Sequence, residues 1–271
     1  MRTDLPSTRR VTQDTGNFTR TTEGSRSLER GLLLLRAFKI GSSTLTNAEL
    51  AKRTGLPRPT VSRLTRSLVD GGFLTYDVEE RAYRLGSIVL SLADTFRLAH
   101  QATEVALPLM LETAEEHKVN VGLAVADQTE MVYLLTIRHS PDSVSRLRRV
   151  APGTRVPIEQ TAVGLAYLEA LPQAVRQAVL GEIGLRVGSR WTQRRKQLET
   201  VIAQVHKHGY SSASFIPGNM AVGRTFGGPD HQLYAMNISF EAQVGQEDEE
   251  TRHYASVLAK LINNIDKVWK K

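Results

Sequence analysis

The chain of 271 residues contains no cysteine and no long apolar run. The absence of cysteine excludes disulfide bonds, zinc–thiolate sites and thiol nucleophiles, and nothing argues for an oxidising compartment. The longest apolar runs fall well short of the ~18 residues that a membrane-spanning helix needs. Residues 1–26 also lack the apolar core of a secretory signal peptide. We therefore expect a cytoplasmic protein with no membrane partner.

Basic residues outnumber acidic residues in the first third of the chain, whereas the two are nearly balanced in the rest. Residues 1–86 carry 15 Lys and Arg against 9 Asp and Glu, a net charge of +6, whereas residues 87–271 carry 20 against 19, a net charge of +1. A local basic excess of this kind is typical of a segment that binds a polyanion such as DNA. An ordinary solvated surface would show the same excess, so charge alone leaves both interpretations open.

The apolar patterns divide the chain into four parts. Hydrophobic residues make up 41% of the chain and charged residues 23%, which is typical of a globular protein, and the length allows two domains. The parts are a flexible basic tail over residues 1–26, a winged helix-turn-helix domain over 27–86, a linker helix over 87–101, and an α+β domain over 102–271. The tail arginines that are candidates for minor-groove contacts are Arg9, Arg10 and Arg20.

The basic part has the pattern of two helices joined by a tight turn and followed by a ribbon. Residues 46–49, Thr-Asn-Ala-Glu, form a capping box that starts the first of these helices, and Gly55 suits its end. The second helix is predicted over Pro59–Asp70, because proline is favoured at the first helical position and two glycines follow. Residues 73–77 and 82–85 then read as two strands around a polar turn.

The helix over Pro59–Asp70 separates its apolar from its basic side chains. At about 100° per residue, Val61, Leu64 and Leu68 fall within a narrow arc that must face a core. The opposite arc holds Arg63 and Arg66, and arginine reads guanine in the major groove by a two-pronged hydrogen bond. We expect these two arginines to contact bases. The further candidates for contact with DNA are Arg58, Thr60, Ser62, Arg81 and Arg84.

A helical hairpin with a solvated face is the alternative interpretation of this segment. The capping box, the glycine turn, the apolar arc, the ribbon and the local charge all agree with DNA binding, and agreement across levels is the stronger evidence. The sequence has no Gly-rich phosphate loop, no nucleophile elbow and no metalloprotease helix. It therefore predicts no catalytic residues, no metal site and no cofactor, and an enzyme is the least favoured class.

Several segments resemble the IclR family of bacterial transcription regulators, over about residues 27–268. In the basic part these are SLERGLLLLRAF (27–38), LTNAELAKRTGLPRPTVSRLTRSLVDGGFL (45–74) and YRLG (83–86). In the second half they are HKVNVGLAVADQTEMVYL (117–134), VPIEQTAVGLAYLEALP (156–172), KHGYS (207–211) and YAMNIS (234–239).

The resemblance implies a winged helix joined by a linker helix to a GAF-like effector-binding domain. Members form homodimers or dimers of dimers, bind a double-stranded DNA operator and respond to a small organic acid or an aromatic metabolite. Many repress catabolic operons, and some activate. We therefore expect a ligand-responsive regulator of this type, with repression as the expected sign. The alternative is a ligand-independent or architectural DNA-binding regulator whose second domain only mediates oligomerisation.

The resemblance also implies an effector pocket in the second half. By comparison with the family, the pocket matches Thr161, Ala162, Val163 and Gly164 at a helix start, together with Asn237 and Ser239 on a strand. A strand position that is often cysteine in the family is Ala221 here, next to Met220. Some members have a pocket aspartate in the segment that matches residues 211–215, and no acidic residue stands there in this chain. With Met220 and Tyr133 expected nearby, these departures favour an uncharged or aromatic ligand, while an anion at the helix start stays open. Core packing is the alternative role for each residue.

Overall fold

The structure is a computed structural model, and it describes residues 24–99, 101–139, 151–228 and 232–269. Residues 1–23 of the predicted tail therefore lie outside the described residues, and so do its three candidate arginines for minor-groove contacts. The described part is an N-terminal helical domain with a small sheet, a connecting helix and a C-terminal domain built on a larger sheet. This arrangement confirms the predicted α+β class.

The N-terminal domain is a winged helix-turn-helix. Its elements are α1 (Arg26–Arg36), β1 (Leu45–Thr46), α2 (Asn47–Thr54), α3 (Arg58–Asp70), β2 (Leu74–Asp77) and β3 (Ala82–Leu85). The strands form an antiparallel sheet in the order β1-β3-β2. Leu34, Leu50, Val61 and Leu74 are fully buried between the helices and this sheet. Strand β1 was not predicted, because two residues carry no readable alternation.

The connection between the domains is helical and strongly exposed. Helix α4 (Ile88–Ala99) is followed by α5 (Gln101–His117). Every residue of α4 with described burial is at least partly exposed, and Leu90 and Leu98 expose 67% and 79% of their surface. The helix starts one residue later than the predicted linker, after Gly86, whose amide donates a hydrogen bond to the carbonyl of Phe73 and so belongs to the wing.

The C-terminal domain alternates strands with helices after α5. Its further elements are β4 (Asn120–Asp127), β5 (Glu130–Ile137), β6 (Arg155–Pro157), a 3₁₀ turn (Ile158–Gln160), α6 (Ala162–Ala170), α7 (Gln173–Val187), a second 3₁₀ turn (Gly188–Arg190), α8 (Trp191–His208), β7 (Ser211–Ala213), β8 (Asn219–Gly227), β9 (Leu233–Glu241) and α9 (Glu247–Trp269). The short strands β6 and β7 were not predicted from the sequence, because three residues carry too little alternation to be recognised. Within the described ranges, no helix is long and apolar enough to cross a bilayer.

One antiparallel sheet organises this domain, with strand order β6-β5-β4-β9-β8-β7. Alternate residues of each strand face opposite sides of a sheet. Met236 and Ile238 of β9 therefore enter the core against α5 and α9, whereas Ala235 enters the core against α6, α7 and α8. The face of the sheet that packs against α6, α7 and α8 carries small residues near the start of α6, and these leave room for a cavity there.

Candidate functional site

The start of α2 is fixed by reciprocal hydrogen bonds. The Thr46 hydroxyl accepts from the Glu49 amide at 3.3 Å, and the Glu49 carboxylate accepts from the Thr46 amide at 2.8 Å. The hydrogen bond from the Thr46 backbone lowers the pKa of Glu49 below its usual value. Gly55 then adopts φ +70° and turns the chain into α3. The predicted capping box and glycine turn are both confirmed.

Helix α3 packs its predicted apolar arc inward. Val61 and Leu64 are buried, and Leu68 is half-buried. Thr65 is buried as well, where its hydroxyl donates to the Ser62 carbonyl at 3.1 Å, so a polar residue joins the buried arc that the sequence assigned to apolar residues alone. Proline occupies the second helical position, since the helix already begins one residue earlier than predicted.

The opposite face of α3 is open and basic. Arg63 and Arg66 are exposed, and neither forms an ion pair with any residue that the structure describes. No side chain caps the start of the helix, whose free amides are therefore available to an anion. The other predicted contacts on α3 are the exposed Arg58 and Ser62 and the half-buried Thr60.

The wing is held by one carboxylate. Asp77 accepts from the amides of Glu79 and Glu80 at 3.1 and 3.0 Å and from the Arg84 guanidinium at 2.7 Å. The Glu80 amide, with smaller contributions from Arg84 and the Glu79 amide, lowers the pKa of Asp77. Arg84 is thus engaged within the ribbon, whereas Arg81 lies exposed at the turn with φ +49°. Of the two arginines predicted to touch DNA from the wing, Arg81 has the freer side chain.

The C-terminal domain has a partly open cavity of about 80 Å³ between the sheet and the start of α6. A volume of this size holds several water molecules. The predicted pocket residues that line it are Thr161, Ala162, Val163, Met220, Ala221, Asn237 and Ser239. Tyr133, which the sequence analysis expected only nearby, also lines the cavity. The remaining lining residues were not singled out from the sequence: Asn120, Val121, Gly122, Thr136, Ile137, Arg138, Val156, Ala213, Phe215, Ile216 and Asn219.

Gly164 is the predicted pocket residue that does not line the cavity. A Cβ at this position would lie 2.1 Å from the Ile158 carbonyl oxygen, so glycine allows α6 to approach the preceding 3₁₀ turn. The Gly164 amide donates to the Thr161 hydroxyl at 3.3 Å, and that hydroxyl donates to the Pro157 carbonyl at 2.9 Å. The role of Gly164 is therefore to position Thr161.

Two polar side chains meet on the floor of the cavity. The Tyr133 phenol donates to the Asn237 side-chain oxygen at 3.1 Å, and burial raises the pKa of that phenol so that it stays neutral. Gly122 separates the two on the sheet, since a Cβ there would lie 2.5 Å from the Tyr133 ring and 2.6 Å from the Asn237 oxygen. The missing side chain of Gly122 therefore makes the contact possible.

Arg138 supplies positive charge at this cavity. It follows β5 directly, and it is the only charged side chain among the described residues that line the cavity. Its guanidinium is half-buried, and the resulting desolvation lowers its pKa. The sequence prediction missed it because an arginine at a strand end looks like ordinary surface. The pocket residues inferred from the sequence include no cationic side chain, and Arg138 adds one.

Comparison with known protein families gives a match for each of the two domains. The model of the IclR helix-turn-helix domain matches residues 27–78, and the model of the bacterial transcriptional regulator IclR C-terminal domain matches residues 98–267. The HTH-type transcriptional regulator TsaQ1/TsaQ2 of Comamonas testosteroni is 32% identical over 184 residues, which cover 68% of this chain and 66% of that protein.

Solved structures give the same result. An IclR family transcriptional regulator from Brucella abortus superposes with a TM-score of 0.78 and 29% identity, covering 93% of this chain and 96% of its own. An IclR homologue from Microbacterium hydrocarbonoxydans, complexed with 4-hydroxybenzoate, superposes with a TM-score of 0.63 and 22% identity, covering 89% and 99%. The chain belongs to the IclR family of bacterial transcriptional regulators.

Proposed function

We propose that this protein binds a specific operator by placing α3 in the major groove of DNA. The observation that carries the proposal is the division of α3 into a buried face, with Val61 and Leu64, and an exposed face, with Arg63 and Arg66. An α-helix fits the major groove, where arginine distinguishes guanine by a two-pronged hydrogen bond. The free start of α3 and Arg81 of the wing would then contact phosphates.

We propose further that the cavity binds a small organic acid with an apolar or aromatic body. Arg138 provides a cation for the carboxylate, and the start of α6 at Thr161 provides amide groups and a helix dipole. Phe215 and Met220 offer apolar surface for the body of the ligand. The 4-hydroxybenzoate complex of the Microbacterium protein supports this class of ligand and names a probe for it.

A second copy of the chain is the proposed occupant of the exposed apolar surface on α4. Leu90, Leu92 and Leu98 expose 67%, 52% and 79% of their surface, which is costly for a helix that stays alone in water. A homodimer, or a dimer of dimers, would bury them and would present two copies of α3 to a two-fold operator.

Repression of a catabolic operon is the proposed biological role, in line with what the resemblance implies. The test is a footprint on the DNA upstream of its own gene, with and without 4-hydroxybenzoate. We expect a site-specific footprint that weakens steeply with salt and shifts with ligand. Binding no tighter than to random DNA would contradict the proposal.

The alternative is a ligand-independent regulator whose second domain serves only for assembly. The exposed leucines of α4 are compatible with it, whereas a cavity with Arg138 at its edge is not needed for assembly. A specific footprint that no organic acid changes, together with an empty cavity in calorimetry, would favour this alternative.

A further inference from the structure

A cluster of charged residues joins the two domains away from both the cavity and α3. The N-terminal domain contributes Arg36 and Lys39, at and just after the end of α1, and the C-terminal domain contributes Asp127, Glu130 and Arg155. Arg36 pairs with Asp127 at 2.6 Å, and Lys39 pairs with Glu130 at 2.6 Å. We refer to these five residues as the interdomain cluster.

Arg155 is the centre of the interdomain cluster. Its guanidinium donates hydrogen bonds to the carbonyls of Arg36 and Phe38, the latter at 3.2 Å, and its Nε lies 3.7 Å from the Glu130 carboxylate. The side chain is only 13% exposed. A helix C-terminus carries unpaired carbonyls and a partial negative charge, so a guanidinium from the other domain is well matched to the end of α1.

The same stretch of carbonyls is tied to the helices of the DNA-binding domain. Arg53 of α2 donates to the Ala37 carbonyl at 3.0 Å and to the Ser42 hydroxyl at 3.1 Å. Three consecutive carbonyls therefore have partners, the middle one from within the domain and the outer two from Arg155. A displacement of Arg155 would therefore disturb the end of α1, the helix against which α2 and α3 pack.

The strand that carries Arg155 also leads directly into the cavity. Val156, the next residue, lines the cavity, and the carbonyl of Pro157 accepts the hydrogen bond of the Thr161 hydroxyl. A ligand that contacts Val156 thus contacts the three-residue strand β6 directly, and one that contacts Thr161 acts on β6 through the carbonyl of Pro157. Among the described strands, β6 lies at the edge of the sheet and pairs only with β5, so it can shift at a lower cost than a central strand.

We propose that Arg155 is the positioning residue that couples occupancy of the cavity to the orientation of the DNA-binding domain, and this rests on the proposed ligand-responsive function. The interdomain cluster is polar and partly open to solvent, so each contact contributes modestly and can be exchanged for water. Such an interface can hold two domain arrangements of similar free energy, and a ligand that favours one arrangement shifts the population.

The first experiment needs no ligand. Hydrogen exchange is followed by mass spectrometry in the full-length wild type, in Arg155→Ala and in the control Arg195→Ala, which removes an exposed ion pair with Glu199 within α8. The amides of Ala37 and Phe38 are bonded to the last turn of α1 and report on its end. We expect about three-fold or faster exchange there in Arg155→Ala alone. Exchange at the wild-type rate would overturn the proposal.

The second experiment measures coupling. Affinity for the DNA upstream of its own gene is measured with and without 4-hydroxybenzoate, and ligand affinity is measured by calorimetry. We expect a shift in DNA affinity of about ten-fold in the wild type, and less than about two-fold in Arg155→Ala at unchanged ligand affinity. A full shift in the variant would overturn the proposal. Because Glu130→Gln keeps the shape of the side chain, a matching loss in that variant separates lost coupling from misfolding.

Failure of the proposed function gives a different pattern. If the wild type binds no 4-hydroxybenzoate, the proposed ligand class is wrong, and the exchange experiment alone decides whether Arg155 holds the end of α1. If the ligand binds and exchange rises in Arg155→Ala while the DNA response persists, Arg155 stabilises the domain contact without coupling the sites, and the proposal is wrong although the proposed function stands.

Discussion

Tyr133 and Asn237 are joined by a hydrogen bond of 3.1 Å although 104 residues separate them in the chain. One lies on β5 and the other on β9, with β4 between them, and Gly122 on β4 leaves the gap through which the phenol reaches the amide. The pair closes the floor of the cavity with a donor and an acceptor that satisfy each other, which leaves the rest of the cavity free to select a ligand.

Replacement of Tyr133 by phenylalanine removes the donor and leaves the buried Asn237 oxygen without it. We expect a loss of about 1–3 kcal/mol in the free energy of unfolding, measured by urea denaturation, because a buried acceptor without a partner has lost its hydration as well. Tyr76→Phe is the control, since Tyr76 is exposed on the wing. Equal stability of the Tyr133 variant and the wild type would contradict this expectation.

Replacement of Arg138 by glutamine tests the charge preference of the cavity. We expect affinity for 4-hydroxybenzoate to fall about ten-fold or more, since a hydrogen bond to a charged partner is worth roughly 1.5–3 kcal/mol. Affinity for the neutral 4-hydroxybenzamide should stay within about two-fold of the wild type. Calorimetry measures the affinity of the wild type and of the glutamine variant for each of the two ligands. Equal losses of affinity for the acid and the amide would show that Arg138 acts by shape alone.

Replacement of Arg63 by alanine tests base reading by α3. We expect a loss of roughly 1–3 kcal/mol in operator binding together with relaxed preference at one base pair, because a two-pronged contact distinguishes guanine. The measurement is binding to a set of single-substitution operators, with Arg195→Ala as the control cation outside the DNA-binding domain. A uniform loss on all sequences would make Arg63 a phosphate contact instead.

The pKa of Asp77 predicts how the wing responds to acid. Because the Glu80 amide lowers this pKa in the folded state, the ionised carboxylate stabilises the fold at pH values above its ordinary pKa of 3.8. That contribution is lost as the pH falls through the lowered folded-state pKa. We therefore expect the stability advantage of the wild type over Asp77→Asn to be constant near neutrality and to shrink below about pH 4 in urea titrations. An advantage that grew in acid would contradict the assignment.

The exposed face of α4 predicts assembly. Leu90 and Leu92 are both exposed and lie about 200° apart on the helix, so a double variant places a charge on opposite sides of α4. We expect Leu90→Glu/Leu92→Glu to shift the protein to a smaller species in sedimentation velocity without loss of helix content. Val244→Glu, at a loop position that is 97% exposed, is the control. An unchanged sedimentation coefficient would place the interface elsewhere.

The DNA-binding domain could be predicted largely from local patterns. The capping box at Thr46 and Glu49 spans four residues, Gly55 marks a turn that needs a positive φ, and the spacing of Val61 and Leu64 defines a helix face. The missed details, such as the buried Thr65, concern side chains whose burial depends on what packs against them.

The cavity was harder to predict because its lining comes from several strands. A β-bulge shifts the β4–β5 register between Leu123 and Ala124. This extra residue lets Tyr133 and Thr136 both line the cavity although their odd spacing would place them on opposite faces of a regular strand. Thr161 and Asn237 were found only through the family resemblance, and Arg138 was not found at all.

The amino-acid sequence by itself determined the class of fold, the position of helix α3 and the polarity of its two faces, because these depend on hydrogen bonds and periodicities within about a dozen residues. Only the tertiary structure decided which residues share the cavity and that Arg155 holds the end of α1. Those contacts join residues 117 and 119 positions apart, and their partners are brought together by the packing of the whole domain rather than by any local pattern.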